Sequence, residues 1–177
     1  MPHLLAAALL LQLHNLAGAP PAIVAAAASE TARLYADFGV RLEWRAAPAG
    51  GEVIRVILLP YETGDLRRAA DTVMGAAIGS DHRTPIAYVY YRRVSAEADR
   101  YAASTIQVLA CAIAHEIGHL LMPGVQHSAD GLMRARWGRD DVSRADQGRL
   151  RFSAAQVALI RARAAGEVRT QSSAPAR

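Results

Sequence analysis

The stretch STIQVLACAIAHEIGHLLM, residues 104–122, constrains the fold more than any other part of the chain. At 100° per residue, Ile106, Leu109, Ala110, Ile113, Ile117 and Leu120 gather on one helix face. Val108, Cys111, His115, Gly118, His119 and Met122 gather on the opposite face, and the only charged side chain is Glu116. A helix that is apolar on nearly every side has to be covered on most of them. The rest of the chain must therefore build layers around it. A carboxylate on such a helix costs several kcal/mol unless something compensates it.

Two histidines one turn apart, flanking that glutamate, offer the compensation. Imidazoles at i and i+4 point the same way and can share one tetrahedral Zn²⁺, while Glu116 on a neighbouring edge reaches a water on the metal. Each histidine alone is more often a satisfied core or surface residue; the joint pattern His-Glu-x-x-His on a buried helix is much rarer. Two helix histidines need at least one more protein ligand. Pro123 and Gly124 end the helix and let the chain turn back. His127 is then the nearest candidate, Asp130 the runner-up, and Asp140 and Asp141 more distant ones. The plain alternative for His127 is a solvated loop histidine.

These residues resemble the metzincin clan of zinc peptidases, whose motif is His-Glu-x-x-His-x-x-Gly-x-x-His followed by a methionine turn. His115, Glu116, His119, Gly124 and His127 match it in kind and order, and Gly124 to His127 keeps the Gly-x-x-His step. The departure is two extra residues between His119 and Gly124. SADGLM, residues 128–133, is similar to the methionine turn, with Met133 beneath the metal; Met133 as a core filler is the plain reading. The chain also resembles a group of uncharacterised bacterial proteins with a HEIGHLL…HS…GLM core and comparable flanking segments over residues 10–165.

The resemblance implies one Zn²⁺ per chain, held by His115, His119 and His127, with Glu116 as general base and a peptide or protein as substrate. It implies an endopeptidase whose cleft is edged by the strand at 86–92. The tyrosine that some metzincins place after the methionine turn has no counterpart, since no Tyr follows Tyr101. Arg134 or Arg136 is the candidate stand-in, against the simpler reading of both as solvated loop charge. Cys111, inside the helix, reads as core.

The other segments supply the layers. ALLLQLHN, within residues 4–15, reads either as a buried first strand or as part of a signal peptide ending near Ala17–Ala19, and it is too short to span a bilayer. Pro20 and Pro21 open a helix over 22–38, with Ile23, Ala27, Leu34 and Phe38 inward and Gly39 as its stop. Residues 40–46 alternate as a half-exposed strand, 52–60 form a more buried one, and 86–92 another. Residues 64–79 read as a short helix or an irregular link. Ser95 caps a short helix to Tyr101, 134–151 is a loop, and a Ser153–Gln156 capping box opens a helix over 153–165. The expectation is an α+β fold, an α/β sandwich with a mixed, twisted, metzincin-like sheet packed on the long helix, forming one catalytic domain over 1–165 with a disordered tail at 166–177.

Composition bears on the competing functions. At 177 residues the chain can bury a core without a structural metal or disulfide. The net charge of +4 hints at nucleic acid, but the arginines stand singly or in pairs among carboxylates, with no basic run or aromatic platform, so no nucleic-acid partner is expected. The rival to a peptidase is a zinc-binding scaffold module without turnover, which would need no general base. One cysteine excludes an intramolecular disulfide and does not decide the compartment. Oligomeric state and substrate specificity leave no mark in the sequence.

Overall fold

The computed structural model describes residues 8–46, 53–61, 74–78 and 84–172. Near-continuous apolar runs suit parallel strands that are covered on both faces. The chain forms three of them: β1 (Ala8–Asn15), β3 (Val53–Leu59) and β5 (Ile86–Tyr90). With β2 (Arg41–Trp44) and β4 (Gly75–Ile78) they make a five-stranded mixed sheet in the order β2-β1-β3-β5-β4. All neighbours run parallel except β4, which pairs antiparallel with β5 in the register Gly75↔Val89 to Ile78↔Ile86. The ALLLQLHN segment is thus an interior strand, hydrogen-bonded on both sides.

Helix α1 (Pro21–Ala36) crosses from β1 to β2 and starts on its proline, as expected. Its buried face is Val24, Ala27, Thr31, Leu34 and Tyr35, with Ile23 and Phe38 packed at the margin of the core. Two hydroxyls on that face fasten it to the long helix α3 (Thr105–Leu121). Tyr35 donates to the Ala114 carbonyl at 3.0 Å, and the single Thr31 hydroxyl proton is shared between the Ala27 carbonyl of its own helix at 2.8 Å and the Ala110 carbonyl at 3.2 Å. Every residue of α3 from Val108 to Gly118 is buried, the result anticipated from its apolar circumference. The core gathers around it, with Leu11, Val56, Leu58 and Val89 from the sheet and Ile160 from α5 (Ala154–Ser172).

Four expectations change. Residues 75–78 are a strand, not helix or link, because β5 supplies a partner edge for four residues too few to show a period; residues 62–73 lie outside the described residues. The helix assigned to Ser95 begins at Tyr91 as α2 (Tyr91–Arg100), directly at the end of β5, since Val94 and Ala98 four apart face the core. The stretch 134–151 contains α4 (Arg139–Asp146), whose Val142 and Ala145 are buried. The final helix continues through Ser172, beyond the expected Ala165, and residues 173–177 of the expected tail lie outside the described residues.

Candidate metal centre

The last two turns of α3 carry His115, Glu116 and His119. The helix ends at Leu121, and Gly124 turns the chain with φ +80°, a conformation that favours glycine. The turn returns His127 to the helix. His119 Nε2 lies 3.0 Å from His115 Nε2 and 3.0 Å from His127 Nε2. Zinc–nitrogen bonds of about 2.0–2.1 Å in a tetrahedron separate the ligand nitrogens by about 3.3 Å, close to these two separations, and all three ligand atoms lie within 4.8 Å of one another. The five positions from His119 to Gly124 therefore still deliver the third imidazole. Among the described residues no cysteine or carboxylate joins the three. Asp130 is exposed and outside the cluster, and Asp140 is exposed on α4.

The donor chemistry also fits a cation. His115 Nδ1 lies 2.8 Å from the Leu132 carbonyl, which can only accept, so Nδ1 carries the proton and a neutral ring leaves Nε2 as a lone pair. His119 Nε2 can offer at most one proton to its two neighbours. At least two lone pairs therefore meet at one point. Exposure rises from buried His115 through half-buried His119 to exposed His127, so the cluster opens to solvent on one side.

The turn over 128–134 packs against the part of α3 that carries His115 and Gly118. Ser128 N–H donates to the Met133 carbonyl, Leu132 N–H to the Arg151 carbonyl, and Gly131 sits at φ +72° with the Arg151 carbonyl 2.9 Å from where a Cβ would lie. Met133 is 1% exposed, and its Sδ would be 2.9 Å from a Cβ at Gly118, between the two helix histidines. A mid-helix glycine is unfavourable by itself and signals such close packing. Trp137 donates from Nε1 to the same Leu132 carbonyl at 3.3 Å and sets its ring edge-on to His115 at 6.1 Å. Neither Gly118 nor Trp137 stands out as a site residue in the sequence.

Asp141, a distant candidate ligand by sequence, has another role. Its side chain is 1% exposed and accepts from Arg134, from Arg144 and from the Gly138 N–H at 3.0 Å, which caps α4. Arg134 is held there at 2.7 Å, and Arg136 is exposed. Asp141→Ala removes a cap and a carboxylate that gathers two arginines. The expected loss is about 2 kcal/mol of unfolding free energy by urea titration, with metal binding retained.

Burial governs the titration of the site. It pushes His115 down to about 3 and His119 down to about 4, with the neighbouring imidazoles adding repulsion. It raises Glu116 to about 8, and among the described residues no hydrogen bond or ion pair reaches that carboxylate. In the unfolded chain the histidines protonate near 6.5, so it binds more protons than the fold below that pH, and stability falls with acid. Glu116 acts in reverse: the fold keeps its proton from 4.5 up to about 8, so stability is lost as pH rises through that window. Together the three groups place the stability maximum of metal-free protein near about pH 6.5. Urea midpoints of chelator-treated protein measured on both sides of neutrality check this; a flat profile contradicts it.

No protein-family model matches the chain, and no curated protein matches it. Among solved structures the fold is similar to that of a zinc-dependent peptidase from Methanocorpusculum labreanum, with a TM-score of 0.58 and 15% sequence identity over 85% of this chain and 99% of that one. At that identity the likeness concerns the fold. The chain thus combines a mixed α+β fold also adopted by a zinc-dependent peptidase with a three-histidine cluster that fits a zinc site.

Proposed function

We propose that the protein is a zinc-dependent endopeptidase of metzincin-like type, with one zinc per chain held by His115, His119 and His127 and with Glu116 as general base. The observation that carries this reading is the meeting of three imidazole nitrogens beside a buried carboxylate that no hydrogen bond or ion pair reaches among the described residues. The zinc-dependent peptidase of similar fold adds support. When bound, zinc supplies Lewis acidity that brings the pKa of a water near neutrality and polarises the scissile carbonyl. Glu116, protonated at neutral pH in the metal-free chain, would be held in its ionised form beside a cation bound by His115, His119 and His127. Glu116 then accepts the proton of the attacking water and returns it to the leaving amine. Leu132, through its carbonyl, keeps His115 in the tautomer that ligates. Met133 is the floor of the site.

The strand beside the cleft differs from the one expected. Of the segment 86–92, residues 86–90 form the interior strand β5 and Tyr91 and Arg92 begin α2, while the edge strand next to α3 is β4. Among the described residues only β5 pairs with β4. An extended peptide would add along its outer edge through main-chain hydrogen bonds, which suits cleavage within a chain. The test is digestion of an unfolded protein substrate by zinc-loaded enzyme. Cleavage that stops on chelation and returns with zinc is the expected result. An intact substrate at full zinc load would instead support a binding module without turnover.

A further inference from the structure

Gly75 opens β4, is buried, and lies against Glu116. A Cβ built there falls 2.5 Å from Glu116 Oε1, 2.7 Å from its Cδ and 2.6 Å from the Tyr88 carbonyl oxygen. At such distances something must shift: the Tyr88 carbonyl is backbone and gives little, whereas the carboxylate, at the end of a side chain, is displaced by an added carbon. The backbone is not the reason for glycine, because Gly75 is absent from the residues with positive φ. Glycine within a strand weakens it, and it marks places where another group comes close. Here two groups come close, the Glu116 carboxylate and the Tyr88 carbonyl oxygen. Among the described residues no hydrogen bond or ion pair holds the Glu116 carboxylate, and Gly75 is one of the groups it packs on.

We propose that Gly75 is a positioning residue for Glu116: by carrying no side chain at the start of the edge strand, it leaves the space in which the carboxylate rests. The proposal rests on the reading of Glu116 as general base. It makes the edge strand serve two purposes, since the strand that faces substrate also sets where the base stands. A carboxylate displaced by about 1 Å from its working position costs about 10²-fold in rate.

The rival explanation is that only the Tyr88 carbonyl excludes a side chain at residue 75. Thermal unfolding of metal-free wild type, Gly75→Ala, Glu116→Ala and the double variant separates the two. The drop in Tm caused by Gly75→Ala should at least halve when residue 116 is Ala. Equal drops in both backgrounds assign the glycine to Tyr88 and overturn the proposal. If Gly75→Ala does not fold alone, folding of the double variant is the expected result and failure of both the overturning one. On folded, zinc-loaded Gly75→Ala, kcat should fall by about 10²-fold with KM and zinc content unchanged. Adding Glu116→Asp, whose side chain is one methylene shorter, should recover part of that loss. An unchanged kcat overturns the proposal. A wild type that cleaves no peptide ends the peptidase reading, and the unfolding comparison then decides whether Gly75 sets the carboxylate's place.

Discussion

Glu116→Gln is expected to lower peptide hydrolysis by at least about 10²-fold while zinc content stays at the wild-type level. The two side chains have the same shape, so contacts with Gly75 and the walls of the site are kept. The amide cannot take a proton from water at neutral pH. Glu116 is 5% exposed and lies beside, not within, the three-nitrogen cluster, so exchanging it removes no ligand. The neutral amide also removes a group whose ionisation burial disfavours. The metal-free variant should therefore lack the decline in stability above neutrality expected of wild type. Turnover and metal content measured on one preparation give the answer. Activity within about threefold of wild type would take the base role from Glu116, since positioned acid–base groups contribute about 10²–10⁴-fold.

His127→Ala should weaken zinc binding by more than about 10²-fold. Changes to groups that merely orient a ligand cost about 10–100-fold in affinity, and loss of a ligand exceeds that. His127 is the informative choice of the three. It is exposed after the Pro123–Gly124 turn, so its removal leaves the core intact. His115 is 8% exposed and bonded to Leu132, and replacing it would mix metal loss with a cavity. Competition with a chelator of known affinity measures the loss. Wild-type affinity in the variant would move the third ligand elsewhere, with Asp130 first in line, so Asp130→Ala is the paired control and should bind zinc normally.

Much of the site is legible in the sequence because it is local. His115, Glu116 and His119 lie within five residues of one helix, and helix geometry alone puts the two imidazoles together. The same holds for the helix itself. Nineteen residues with a single charge favour a covered helix, and every residue of α3 from Val108 to Gly118 is buried. His127 is less legible, because its approach depends on the path of a turn two residues longer than in the motif it resembles. Gly124 at positive φ supplies that path.

The elements that sequence patterns miss are short or depend on distant partners. β4 has four residues and is a strand only because β5 lies alongside. α4 has eight, and its cap comes from Asp141, whose two aspartate-arginine contacts look in the sequence like scattered loop charge. Strand order is not legible either: the resemblance implies 86–92 as an edge strand, whereas residues 86–90 are interior as β5 and β4 lies at the sheet edge.

The sequence by itself determined a buried helix bearing two histidines and a carboxylate, because hydrophobic periodicity and side-chain direction act over one or two turns. Only the tertiary structure decided which strand lies beside that helix, that the Leu132 carbonyl orients His115, and that Gly75 stands against Glu116. Those contacts join residues 17 and 41 positions apart, beyond the reach of the helix and strand periods that a local pattern expresses.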